Sequence, residues 1–149
     1  MGTWSTATTV HGSPEHVLTV LTDPDACSRW SPVGFELDEL DEPRLTTGAR
    51  ARVGGRFAGC DVGFEVEILH ADERAIELRA SGPIDIEARY DATVDGPATR
   101  IEASVSVRGG GLTGRVLARA ADGLLAAGAL DRALARIAGE VARPAGALA

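Results

Sequence analysis

The sequence predicts an α+β domain: one curved antiparallel sheet wrapped around a long C-terminal helix, with two short helices after the first strand. Three observations carry this. Two helix-start signals follow a short β-branched segment. From Phe35 to Arg108 apolar residues recur with period two, broken by Gly, Pro and Asp clusters at roughly eight- to twelve-residue intervals. After Gly109-Gly110-Gly111 the period changes to 3.6.

Thr3–Val10 is short and β-branched, which suits a strand ended by His11-Gly12. Ser13-Pro14-Glu15 then supplies a capping hydroxyl, a proline at the first helical position and an acid in the first turn, and Asp23-Pro24-Asp25 repeats the arrangement. The expected helices are Pro14–Leu21 and Pro24–Trp30. The second stops at Trp30-Ser31-Pro32 because a residue before proline avoids the helical region.

A two-residue hairpin loop at Ala58-Gly59 tests the strand register. It pairs Phe57 with Cys60, Val53 with Phe64, Ala51 with Val66 and Ala49 with Ile68 on one face, and Arg52 with Glu65 and Arg50 with Glu67 on the other. Apolar residues meet inside and opposite charges outside, which a wrong register would not produce. The inner face then continues through Ile76, Leu78 and Ala80, through Ile84, Ile86, Ala88, Tyr90, Ala92 and Val94, and through Ile101, Ala103, Val105 and Val107. Leu112–Val141 reads as one helix with a stripe through Val116, Ala120, Leu124, Ala127, Leu130, Leu134, Ile137 and Val141. Residues 1–143 form a single domain on this reading, and 144–149 a frayed tail.

A sheet with one apolar face needs a cover. The C-terminal helix, about 45 Å long for ~30 residues, is the only element that can supply it. Its middle presents Ala120, Gly123, Ala127 and Gly128, where Leu or Phe would fill the core. Small residues there either seat the helix closer or leave an apolar space suited to a hydrophobic ligand. Aromatic residues make up only 4% of the chain, so few rings are at hand to fill such a space.

Composition narrows the function. A net charge of −7 opposes phosphate backbones, so nucleic acid is not expected as a partner. Cys27 and Cys60 have no metal spacing, and neither a metal nor a cofactor is expected. No apolar run approaches the ~20 residues that span a bilayer, and the first residues lack a signal-peptide pattern, so a cytoplasmic location without membrane insertion is expected. All 15 basic residues are Arg, which removes Schiff-base chemistry on lysine.

Several segments carry a family resemblance over nearly the whole chain. They are Gly12-Ser13-Pro14-Glu15-His16-Val17, Leu21-Thr22-Asp23-Pro24, Trp30-Ser31-Pro32, Thr47-Gly48-Ala49-Arg50, and Ala98-Thr99-Arg100-Ile101 before the last strand. In these the chain resembles the START-related SRPBCC superfamily, in particular its polyketide cyclase/dehydrase and lipid-transport branch. Gly111-Leu112-Thr113-Gly114-Arg115 with Leu124-Leu125 is also similar to the small accessory proteins of the carbon-monoxide-dehydrogenase type. The resemblance implies the helix-grip fold and a hydrophobic, polyketide-like or lipid-like ligand, delivered in some members by a carrier protein. It implies a polyketide cyclase of antibiotic biosynthesis, which folds a poly-β-ketone chain and promotes its aldol closure. The alternatives are a non-catalytic carrier and an accessory protein for an oxidoreductase, in each case as a monomer or homodimer.

No local signature fixes catalytic positions, so the candidates come from facing. Tyr90 is the only tyrosine and faces inward. It either donates a hydrogen bond to a ligand carbonyl or enolate, or is a core tyrosine bonded to backbone or water. Asp131, at the edge of the helix stripe, is a candidate base if it enters the cavity and a solvated flanking acid if it does not. Cys60 and His70 share the inner face on this register, Cys60 as packing and His70 at a strand end. Arg115 and Arg119 could reach a ligand carboxylate or a carrier-protein phosphate, though helix arginines are usually solvated. The expected ligand contacts are Trp30, Phe57, Phe64, Val66, Tyr90, Val105, Leu124 and Ala127.

Overall fold

The computed structural model describes residues 2–26, 36–41, 44–57, 60–109 and 111–142. Strand β1 (Gly2–Val10) leads into helix α1 (Pro14–Leu21), and strands β2 (Glu36–Leu40), β3 (Arg50–Phe57), β4 (Cys60–Ala71), β5 (Ala75–Ser81), β6 (Asp85–Asp95) and β7 (Ala98–Arg108) follow. Helices α2 (Gly111–Ala126) and α3 (Ala129–Ala142) complete the described chain. The strands form one seven-stranded sheet in the order β1-β7-β6-β5-β4-β3-β2, and every neighbouring pair is antiparallel. This is the helix-grip arrangement.

Local chemistry sets the helix ends as the sequence predicts. The Ser13 side chain accepts the His16 backbone N–H, and Pro14 opens the first turn of α1. At the other end Arg44 donates to the Thr19 carbonyl at 2.6 Å, taking up one of the carbonyls a helix terminus leaves unpaired. The second start signal also holds: Asp23 Oδ1 accepts the Asp25 N–H at 3.0 Å, and residues 24–26 are helical. The rest of that helix, Trp30 included, lies outside the described residues.

The β3–β4 hairpin has the predicted register from Phe57↔Cys60 to Arg50↔Glu67. Ala49 and Ile68 extend it through a backbone bond of 2.9 Å. Arg52 and Glu65 are neighbours on the outer face at 3.5 Å and largely exposed. On the inner face Val53, Phe64 and Val66 are half-buried rather than fully enclosed.

Three expectations need correction. The first concerns His70, which a register shift between Ile68 and His70 moves off the inner face. One extra residue in a strand reverses which side chains face in. Ile68 is accordingly buried, and His70 is exposed outside, with Nε2 2.6 Å from Asp72 Oδ2.

The second concerns the C-terminal helix, which is two helices. Gly128 has φ 93°, left-handed backbone that ends a helix, and Arg132 donates to the Ala127 carbonyl at 2.9 Å across the break. Downstream the predicted stripe holds, with Leu130, Leu134, Ile137 and Val141 buried. Upstream it is out of phase: α2 buries Gly114, Leu117, Ala118 and Ala121, while Val116 and Leu124 are 59% and 39% exposed. Ala127 sits in the turn, exposed, not beneath a continuous helix.

The third is at the end of β6, where Val94 is exposed, beyond the reach of the helices.

The core lies between the sheet and α1, α2 and α3. Helix α1 packs on β5 and β6, α2 on β7, and α3 on α1, β1 and β7. Val17, Leu21, Ile76, Ile101, Leu134 and Ile137 are among its fully buried side chains. Among the described residues Thr99 is the buried polar one, and its hydroxyl donates to the Gly12 carbonyl at 2.6 Å, tying β7 to the turn before α1.

Candidate functional site

The described helices cover the sheet unevenly, and the part that they leave uncovered is the candidate site. On the inner face Ala88, Tyr90, Ala92, Ile101, Ala103, Val105 and Val107 are buried under the helices. Towards β3, β4 and β5 the same face opens, and Val53, Val62, Phe64, Val66, Leu78 and Ile86 are all half-buried. They cluster on one face around the buried Ile68 and Ala80. Val53 faces Phe64, Ala51 faces Val66, Val66 faces Ala80, and Ala80 faces Ile86. Aliphatic groups that fold onto a concave sheet face yet stay partly open form an apolar wall from which bound molecules displace water.

Small residues give this wall its depth. Val66 lies between Ala51 and Ala80, so the row has little bulk on either side. Phe64 Cδ1 would lie 2.8 Å from any Cβ placed on Gly82, so the ring rests against that glycine. From the helix side Ala120 and Leu125 pack against the core half-buried, with Leu124 beside them and more open.

The sequence-predicted site residues divide into three sets. Phe64, Val66, Tyr90 and Val105 share the inner face, the first two on the open wall and the last two beneath the helices. Tyr90 is 2% exposed and stands opposite Ile76 and Ala103, one step along from Val105, which pairs with Ala88. Leu124 and Ala127 lie on the solvent side of α2 and in the turn after it. Trp30 and the side chain of Phe57 lie outside what is described, as does the side chain of Cys60.

Asp131 is held at the β1 edge, not inside the core. It is exposed and accepts a hydrogen bond from the Thr6 hydroxyl of β1. The reason is the break at Gly128, which restarts the helix and places Asp131 in the first turn of α3, over the sheet edge. Trp4, two residues earlier on the same face of β1, donates its indole N–H to Asp122 of α2 at 3.2 Å. Two acids, one from each helix, are thus fastened to one edge strand. Sequence reasoning missed both anchors, although alternation along Trp4, Thr6 and Thr8 signals a polar inner face on β1.

Outside the sheet His70 and Asp72 form a close ionisable contact. The Arg74 N–H, His70 and the Ala75 N–H, in that order, hold the Asp72 carboxyl at about 2, below its ordinary 3.8. A lowered value means that the charged form is favoured on folding. The contribution is therefore present above the ordinary value and lost as pH falls through about 2. A carboxyl titration followed by NMR should place Asp72 near the lower value in the native protein, and replacing His70 with alanine should move it upward. A native midpoint at 3.8 would contradict the geometry.

Among the described residues no group of three His, Cys, Asp or Glu side chains could hold a metal ion. Nor is any described helix long and apolar enough to cross a membrane.

A concave antiparallel sheet gripping C-terminal helices defines the START-like helix-grip class of fold. More narrowly, the chain belongs to the polyketide cyclase / dehydrase and lipid transport family, whose profile matches residues 1–142. The fold is shared with the Zhui aromatase/cyclase from Streptomyces, at TM-score 0.70 and 18% identity over 97% of this chain and 98% of that one. A protein from Chromobacterium violaceum matches at TM-score 0.70 and 15% identity, over 97% and 100% of the two chains. A START superfamily protein from Mycobacterium smegmatis matches at TM-score 0.63 and 21% identity, over 93% and 96%. No curated sequence matches the chain.

Proposed function

We propose that this protein binds a hydrophobic, polyketide-like or lipid-like small molecule along the open apolar wall of β3, β4 and β5. The observation that carries the reading is the cluster of half-buried apolar side chains on the concave face, with no described helix packed across β3 and β4 as closely as on β1, β5, β6 and β7. Covering such a wall with a ligand contributes ~25 cal/mol per Å² of apolar surface removed from water.

Family membership favours a second reading, a cyclase that closes the bound chain. In that reading the ligand reaches from the wall to β6 beneath the helices, where the phenol of Tyr90, 2% exposed, donates to its carbonyl or enolate. Confinement would carry much of such a reaction, since holding reacting carbons together is worth several kcal/mol of barrier.

Titration of the purified chain with an uncharged fluorophore that brightens in apolar surroundings tests the first reading. The expected result is saturable binding at one site, reversed by a long-chain aliphatic or polycyclic aromatic competitor. Fluorescence that rises without saturation, or that no competitor reverses, would overturn it. Turnover of a poly-β-ketone substrate separates the two readings: a carrier shows none, whereas a cyclase turns it over and loses that activity in Tyr90→Phe while keeping its affinity.

A further inference from the structure

The two edges of the sheet are built differently. Edge β2 is short, Glu36–Leu40, carries Glu36, Asp38 and Glu39 in its sequence, and is bent by a register shift between Leu37 and Glu39. Those are the devices by which proteins keep a sheet edge from pairing with another chain. Edge β1 has none of them. It runs nine residues, GTWSTATTV, without charge or proline, and pairs with β7 in unbroken register from Gly2↔Val107 to Val10↔Thr99. Its other side has no strand partner among the described residues.

We infer that β1 is a self-association edge, on which a second copy of this chain adds its own β1 antiparallel across a two-fold axis. Full overlap of Gly2–Val10 centres the axis on Thr6. Thr3 then faces the copy's Thr9 and Ser5 faces its Ala7 on the outer side, while Trp4 faces Thr8 and Thr6 faces Thr6 on the inner side. Every cross-strand pair is neutral, and the Thr–Thr pairs suit such a ladder. In a two-fold pair residue i meets residue j and j meets i, so a charge-free strand sets no like charges against each other at the axis or beside it. Fastening of Trp4 to Asp122 and of Thr6 to Asp131 holds β1 flat against the body, ready to template a partner.

Next to the axis α3 presents Ala135 and Gly139 to solvent, and a Cβ added at Gly139 would meet nothing within 4 Å. A second α3 could therefore lie alongside without a clash. Arg132 and Arg136 on the same exposed face offset the two Asp131 carboxylates that the axis brings together.

Sedimentation of the full chain at rising concentration provides the test. The expected species has twice the 15.4 kDa mass of one chain. It should strengthen with salt, because each copy carries a net charge of −7. The double variant Ser5→Glu with Ala7→Glu sets like charges opposite each other twice, and should raise the dissociation constant about tenfold. Ser5→Lys with Ala7→Lys should do the same alone, and mixing the two variants should restore the dimer. Circular dichroism of each variant verifies that it folds. A wild type that stays monomeric at millimolar concentration, or folded variants that dimerise as tightly as wild type, would overturn the proposal.

Discussion

Val66→Trp is expected to lower hydrophobic-probe affinity by at least about tenfold, the equivalent of ~1.4 kcal/mol, while the melting temperature stays within a few degrees of the parent. Val66 is half-buried between Ala51 and Ala80, so an indole there projects into the open groove instead of into packed neighbours. Ile101→Trp is the contrasting control. Ile101 is 0% exposed, and enlarging a side chain in close-packed surroundings destabilises by ~1–3 kcal/mol or more. Ala127→Trp, in the exposed turn between the helices, should alter neither binding nor melting. If Val66→Trp melted as low as Ile101→Trp, the wall would be closed core. If it kept full affinity, the ligand would lie elsewhere.

Gly109→Ala is expected to cost about 3 kcal/mol, the upper end of the usual overpacking range, and to lower the melting temperature accordingly. A Cβ there would overlap the Gly114 carbonyl, 2.7 Å from its carbon, and stand 3.1 Å from the Ala118 Cβ. The obstruction is backbone, which cannot swing aside. Relief would require lifting the first turn of α2 off the end of β7, where Gly114 itself sits close against the Pro83 carbonyl. Denaturant unfolding of the variant measures this. A midpoint equal to that of the parent would mean that α2 is not seated on β7 as described.

The strand register was legible in the sequence because it was over-determined. Pairing Val53 with Phe64 and Arg52 with Glu65 satisfies both faces at once, and no shifted register does. Helix α1 was legible for a similar reason, since Ser13, Pro14 and Glu15 act within one turn. The bulge at His70 was not legible, because an inserted residue leaves composition and alternation nearly unchanged on both sides of it.

The C-terminal helix shows where periodicity runs out. Leu112–Val141 contains so many Ala, Leu and Val residues that stripes offset by one position look equally apolar. What separates Leu117, Ala118 and Ala121 from Val116, Ala120 and Leu124 is the seat of α2 on β7 through Gly109 and Gly114. Gly128 gave the one local hint of a break, and a lone glycine within a helical pattern is usually tolerated. The inward facing expected of Leu124, Ala127 and Asp131 failed for this reason. Assigning Leu124, Ala127 and Asp131 to a cavity assumed one straight helix across the sheet, whereas the turn at Gly128 moves Asp131 to the β1 edge. Phe64 and Val66 depended only on the sheet, and the wall includes them.

The interruption at Gly128 also divides the protein into segments of unequal persistence. Helix α3, with Leu130, Ala133, Leu134, Ile137 and Val141 enclosed, is expected to exchange its amides with solvent deuterium only through global opening. Helix α2 keeps Val116 and Leu124 in water and rests on β7, so its amides are expected to exchange at a lower opening free energy than those of α3, and equal protection of the two helices would contradict this.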